Sequence, residues 1–318
     1  MPPLSPLRPA IAIAGPTASG KSGLALAVAR EFDGVVINAD SMQVYDVLRV
    51  ITARPAPEDE AQAPHRVYGV LPPSVACSAA LWKDLAAEAM QQTWAAGKLP
   101  VVVGGTGLYL RTLMHGISPV PEIPEDIRAE ARARLERQGN AAFHAELAAR
   151  DPVMAARLDP ANSQRLARAW EVIEATGRSL AEWQALPMEG GVAARWRTFA
   201  LLPPRDALYA NCDRRFAMMM EHGAPDEVRA LLDLNLDPAL PAMKALGVPE
   251  LAGWLGGAWD RATAEARARQ STRNYAKRQM TWFRNQLDAP EVLSAQFSES
   301  LTPGIFAIIR QFLLTAND

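Results

Sequence analysis

Residues 10–22 read Ala10-Ile11-Ala12-Ile13-Ala14-Gly15-Pro16-Thr17-Ala18-Ser19-Gly20-Lys21-Ser22, an apolar run entering a complete G-x-x-x-x-G-K-S phosphate-binding loop. Ala10–Ala14 is short enough for a buried strand, and Leu24–Arg30 has the composition of a helix. That strand–loop–helix setting separates the motif from a chance glycine-rich turn. The glycines let backbone N–H groups turn inward around a polyphosphate, at a helix N-terminus whose dipole favours anions. Lys21 is placed to reach phosphate oxygens, and the Ser22 hydroxyl to hold a magnesium ion. Gly15, Pro16, Thr17, Ala18, Ser19, Gly20, Lys21 and Ser22 are therefore the candidate diphosphate- or nucleotide-binding residues.

Outward from the loop, Gly34–Asp40 is a β-branched strand ending in a carboxylate, Leu81–Ala96 a helix stopped by Gly97, and Leu99–Val103 another buried strand running into Gly104-Gly105-Thr106-Gly107. Continuous apolar strands separated by helices predict an α/β fold, a P-loop NTPase-like parallel sheet covered by helices on both faces. Ligands of such sheets lie at the carboxyl ends of the strands, where the loop, Asp40 and Thr106 all fall. From about Pro119 the texture changes. Helices are expected over Pro124–Gln138, Ala141–Ala149, Asp151–Leu158 and Ser163–Thr176, with no strand signal until Trp196–Leu202. The expected division is a P-loop core over residues 1–118, an all-helical insertion over 119–195, and a return to the core over 196–318.

The 318 residues are 49% hydrophobic and 21% charged, with net charge −2, so any nucleic-acid partner must be met by a local patch. Cys77 and Cys212 lack disulfide or zinc spacing, and the four histidines lack metal-ligand spacing. The proline-rich opening residues do not read as a signal peptide, and no apolar stretch approaches the roughly twenty residues of a membrane span. A soluble, cytoplasmic protein is expected.

Asp40, beside a phosphate loop, suits magnesium binding or general-base work, and equally a helix N-cap. No second strand ends in the carboxylate that organises the metal in nucleotide hydrolases. The glycines of Gly104–Gly107 allow close approach of a ligand, with Thr106 donating into the site, or make a tight turn. Arg165 and Arg168 share a helix face that suits phosphate oxygens or pairs with Glu171. The strongest nucleic-acid signal is Arg261–Gln286, with seven cations, one acid, and interleaved Tyr275, Trp282 and Phe283.

In this order the segments resemble the tRNA dimethylallyltransferases, or tRNA isopentenyltransferases. The resemblance rests on Gly15–Ser22, Asn38–Tyr45, Gly104–Tyr109, Asn162–Val172 and Arg273–Arg284, and spans residues 11 to about 286. It implies transfer of a dimethylallyl group from dimethylallyl diphosphate, with magnesium, to the exocyclic amine of the adenosine 3′ of the anticodon, in tRNAs reading codons that begin with U. The implied catalytic residues are Asp40, Thr17, Lys21, Thr106 and Arg168. The implied tRNA contacts are Asp40, Ser41, Met42, Gln43, Thr106, Arg128, Gln164, Arg165, Leu166, Ala167, Arg168, Lys277, Arg278, Gln279, Thr281, Trp282 and Arg284. Partners are the anticodon stem-loop and the allyl diphosphate, with no membrane, and the chain is expected to be a monomer. An insertion closing over the anticodon loop would exclude water from the reactive donor. Where many members carry Gly-Tyr, this chain has Gly247-Val248, which puts a contact at that loop in doubt. The alternatives are an isopentenyltransferase acting on free AMP, ADP or ATP, a P-loop small-molecule kinase, and a non-catalytic RNA-binding protein.

Overall fold

The computed structural model describes residues 7–315, and the proline-rich residues through Pro6 lie outside the described residues. Six parallel strands form one sheet: β1 (Pro9–Ala14), β2 (Gly34–Asn38), β3 (His65–Arg66), β4 (Leu99–Gly104), β7 (Arg195–Leu201) and β8 (Glu291–Leu293). A separate two-stranded antiparallel ladder pairs β5 (Gly116–Ile117) with β6 (Glu189–Gly190). The order across the main sheet is β3-β2-β4-β1-β7-β8. Chain order runs one way from β1 through β4 and the other way through β7, so β1 sits at the topological switch point where a ligand crevice opens. The phosphate loop leaves β1 at that point.

Alternation along the strands decides which side chains face which layer. Ile11, Ile13, Val101 and Val103 face helices Lys21–Glu31 and Thr302–Leu314, in a core closed by Leu24, Val28, Ile305 and Ile309. Ala10, Ala14 and Val102 face the larger opposite layer, where Trp82, Leu110, Phe216 and Phe283 are buried. The small alanines of β1 on that face let its helices approach the sheet.

The chain divides into two compact units, one of residues up to Met114 and from Val192 onward, the other His115–Gly191. The second unit is helical apart from the β5–β6 ladder. Its first helix, Glu125–Arg150, is broken at Gly139, whose φ of 74° and ψ of 168° interrupt it between the two segments expected from sequence. Helix Ser163–Thr176 packs Leu166, Ala169, Trp170 and Val172 against Phe143 and Leu147. Since Phe143 and Leu147 help form this core, the Pro124–Ala149 stretch holds the unit together.

Val248 is 1% exposed within the large core, beside helix start Val248–Leu255. The position that departs from the family pattern is a packing position in this chain. Trp259 is a packing residue too, its Nε1 donating to the Glu250 carbonyl at 2.9 Å.

Candidate active site

The loop Gly15–Ser22 wraps the space above β1 and hands over to helix Lys21–Glu31 through Gly20, at φ 86°. Ala18 also holds a positive φ of 62°, a conformation costing an L-residue roughly 1–2 kcal/mol, so the loop's shape is imposed by its surroundings. Gln279 supplies much of that constraint. Its Oε1 accepts from the Thr17 N–H at 2.8 Å, and its Nε2 donates to the Gly105 carbonyl at 2.8 Å. Arg215, on helix Arg205–Glu221, donates to the Thr17 hydroxyl.

Lys21 turns its ammonium onto the Pro16 carbonyl at 3.4 Å. Burial lowers its pKa to about 8; the Asp40 charge opposes that shift and Arg215 adds to it. Burial likewise pushes Arg215 below the usual guanidinium range, again against Asp40. Two buried cations thus lie within electrostatic reach of one carboxylate at the strand ends.

Asp40 follows β2 and is fixed from three sides. Its N–H donates to Asn38 Oδ1 at 2.8 Å, its carbonyl accepts from Asn38 Nδ2 at 3.0 Å, and its Oδ1 accepts from the Met42 N–H at 2.9 Å. The last bond is an Asx turn; no helix begins here, so Asp40 is not the helix N-cap that its residue type also allowed. Thr106 Oγ1 accepts from the Ser41 N–H at 3.0 Å, and the Thr106 N–H donates to the Ala39 carbonyl at 3.2 Å. The β2 and β4 ends are therefore laced together. Tyr275 reaches the Thr106 and Gln279 side chains; burial and then the nearby Asp40 charge hold its phenol protonated.

The glycines after β4 answer to packing. A Cβ on Gly104 would lie 2.0 Å from the Ala39 carbonyl oxygen, one on Gly105 2.3 Å from Gln279 Nε2, and one on Gly107 2.1 Å from the Trp282 ring. The approach these residues permit is that of strand β2 and of helix Arg261–Gln286. The tight turn is realised, and Thr106 stays half-exposed at the strand end.

Similarity to known proteins follows the same segments. The IPP transferase family model matches residues 43–286, and an isopentenyl transferase model matches residues 9–72. The chain is 63% identical over 308 residues to a tRNA dimethylallyltransferase of Paramagnetospirillum magneticum, covering 97% of this chain and 98% of that one. It also resembles the solved tRNA isopentenylpyrophosphate transferase of Bacillus halodurans, at 32% identity and TM-score 0.71 over 98% of each chain. A solved eukaryotic dimethylallyltransferase acting on tRNA superposes with TM-score 0.83 at 26% identity, over 97% of this chain and 80% of its own. The chain belongs to the IPP transferase family.

Several residues given roles by family likeness sit differently here. Gln279 is 5% exposed and fully engaged inside the protein, so its side chain holds the phosphate loop instead of meeting RNA. Leu166 is buried in the core of the second unit and offers RNA no side chain. Trp282 is half-buried, its ring committed to Gly107 and Phe283. Gln43 Nε2 holds the Thr52 and Ala53 carbonyls at 2.8 and 2.9 Å. Lys277, Arg278, Thr281 and Arg284 are exposed along one helix face. In the second unit Gln164 and Arg165 are exposed, Ala167 is half-exposed, and Arg168 pairs with Glu171 at 3.5 Å. Burial raises the Glu171 pKa against the charges of Arg168 and Arg128.

Arg215 went unnoticed in the sequence. A signal existed: Leu208, Cys212 and Met219 form an inward stripe at helical spacing, and Arg215 interrupts it. None of the histidines joins a metal site; among the described residues no three His, Cys, Asp or Glu side chains converge on one.

Replacing Gln279 by Leu leaves a buried N–H and a buried carbonyl without partners, at about 1–3 kcal/mol each. Calorimetry should show pyrophosphate binding weakened at least tenfold by Gln279→Leu, with anticodon stem-loop binding within a few-fold of wild type. The reverse pattern would assign Gln279 to RNA. The lowered Lys21 pKa makes a second prediction. The ammonium is charged below about 8 and loses its proton above it, so pyrophosphate affinity should fall through that range relative to Lys21→Met. A wild-type-to-variant ratio that stays flat from pH 6.5 to 9.5 would contradict it.

Proposed function

We propose that this chain transfers a dimethylallyl group from dimethylallyl diphosphate to the N6 amine of the adenosine 3′-adjacent to the anticodon, in tRNAs reading codons that begin with U. One observation carries the reading: the anion-binding loop holds Lys21 against Pro16 and Arg215 on the Thr17 hydroxyl, and both cations lie within electrostatic reach of the Asp40 carboxylate. A diphosphate leaving group and a weakly nucleophilic amine need those two features together. The relatives' names supply the substrates.

In this reaction the C1–oxygen bond of the allyl diphosphate breaks, a C1–N6 bond forms, diphosphate departs, and the N6 proton passes to Asp40. Lys21, Arg215 and the loop N–H groups balance the charge that builds on the diphosphate. Thr17 orients Arg215 through its hydroxyl. Thr106 and Ser41, hydrogen-bonded to each other, define where the extruded base lies, since an enzyme acting on a base must take it from its stack. Asp40, held by Asn38 and the Met42 N–H, needs no reorganisation to meet the amine.

Magnesium is proposed for the same corner, with Ser22 as its protein oxygen. Ser22 is exposed at the first turn of the loop helix, and magnesium is commonly bound by one or two protein oxygens together with substrate phosphates and water. Bound there with the diphosphate, the ion would supply further charge neutralisation. The outward cations Lys277, Arg278 and Arg284, and Arg165, Arg168 and Arg128 of the second unit, are assigned to the RNA backbone, with Thr281 beside them. The reading places the protein in the cytoplasm, with tRNA.

The test is transfer of labelled dimethylallyl diphosphate with magnesium and no ATP, offering unmodified tRNA, AMP or no acceptor. Label should enter tRNA alone, and Asp40→Ala should lower the rate about 10²–10⁴-fold, the range for a general base. Label in AMP would move the activity to free nucleotides, and label equally fast with Asp40→Ala would remove the base. Lys277→Ala and Arg284→Ala should each weaken tRNA binding and reduce its salt dependence by about one counterion. An unchanged salt slope in both would take that helix face off the RNA.

A further inference from the structure

Strand β8 ends at Leu293, beside Leu201 of β7, and the chain then leaves the carboxyl end of the sheet on the side of the phosphate loop. The Phe297 N–H donates to the Ser19 carbonyl at 3.3 Å. The Phe297 side chain seats on the turn where the loop becomes helix. A Cβ on Gly20 would lie 2.7 Å from Phe297 Cβ, and a Cβ on Gly23 would lie 3.0 and 3.1 Å from two Phe297 ring atoms. Gln296 adds to the cover, its Nε2 3.1 Å from the same Gly20 position. Leu24, Leu293 and Leu301 belong to the apolar cluster against which Phe297 packs.

A polyphosphate in such a loop has two ends. Loops of this class bind nucleotides with the α- and β-phosphates on the backbone N–H groups. The terminal phosphate points to the reacting group, so the nucleoside leaves past the first helical turn, over Ser22 and Gly23. In this chain that exit is where the Phe297 ring lies. The other exit opens toward Lys21, Arg215 and Asp40.

We propose that Phe297 is a specificity-determining residue: lying against Gly20 and Gly23, it crowds the nucleoside side of the loop, so that the site selects an alkyl diphosphate over nucleoside di- and triphosphates. The inference rests on the reading of the loop as a diphosphate site, and gives it a reason to reject the phosphorylated compounds that this motif elsewhere accepts. The two glycines fit it, because a Cβ at Gly20 would meet Phe297 Cβ and one at Gly23 would meet its ring. The end of β4 fits as well, running into Gly104 and Gly105 with no carboxylate of the kind that organises metal for nucleotide hydrolysis.

The experiment is calorimetric titration of ADP and of inorganic pyrophosphate, both with magnesium, into wild type, Phe297→Ala and Phe297→Leu. The readout is the ratio of ADP to pyrophosphate affinity. Phe297→Ala, which opens the exit, should raise that ratio at least tenfold, and Phe297→Leu, which trims the ring but keeps the apolar seat, about threefold. A ratio within twofold of wild type in the folded variants overturns the proposal. Should Phe297→Ala unfold, Phe297→Leu decides. Neither ligand carries an allyl group, so the outcome is independent of the transfer assay. A raised ratio without tRNA prenylation would remove the proposed reaction and keep this inference. Intact prenylation with an unchanged ratio would remove the inference alone.

Discussion

Gln279 joins two loops that would otherwise be independent. Its amide takes the Thr17 N–H and gives a hydrogen to the Gly105 carbonyl, both inside the protein, where an unmade bond costs more than a made one contributes. For the amide to reach both, helix Arg261–Gln286 must lie against the carboxyl ends of β1 and β4. That approach leaves no room for side chains at Gly105 and Gly107. It is anchored at its middle by Arg273, whose guanidinium meets both Asp213 carboxylate oxygens at 2.7 and 2.8 Å on helix Arg205–Glu221. Helix Arg205–Glu221 also presents Arg215. The placement of the helix behind the loop therefore accounts for the glycines, the loop conformation and the position of the second cation together.

The electrostatics follow from that packing. Lys21 and Arg215 are crowded into one pocket, and burial lowers both pKa values. Their mutual repulsion is offset by Asp40 and by the Pro16 carbonyl, to which Lys21 turns. In the proposed reaction an incoming diphosphate would replace that weak neutral acceptor by a strong anionic one. Donors already assembled in a desolvated site act more strongly than the same donors in water, and need not reorganise as charge develops.

What the sequence made legible is what is contiguous. The phosphate loop, the ends of β2 and β4 and the helices of the second unit are each written in adjacent residues, and even the break at Gly139 divides two helical patterns. Strands β3 and β8, of two and three residues, carry too little pattern to read, because their pairing is set by partners far along the chain. Helix facing was the harder question. Gln279, Arg215 and Leu166 each lie beside cations on amphipathic helices, and which side turns inward depends on what the rest of the chain packs there. The glycines after β4 read as ligand space and as a tight turn alike; that Ala39, Gln279 and Trp282 also press on them is written far away in the chain.

Counting charge along Arg261–Gln286 overstates what the helix offers to a phosphate backbone. Glu265 bridges Arg261 and Arg269 at 2.8 and 2.9 Å, Asp213 takes Arg273, and Arg267 lies over the Trp259 ring, 4.4 Å from its centroid. The four arginines of the first half thus meet two carboxylates within the protein, which halves the charge they offer outward. Among the described residues Lys277, Arg278 and Arg284 form no ion pair, and they lie on the half that carries Tyr275 and Gln279 on its inner side. The outward field is concentrated over the two turns whose inward side chains reach Thr106, Thr17 and Gly105. In the proposed function a backbone drawn to those three cations would be delivered beside Asp40, so the pairing of the other arginines would sharpen where the RNA lies as well as lower the total charge that attracts it.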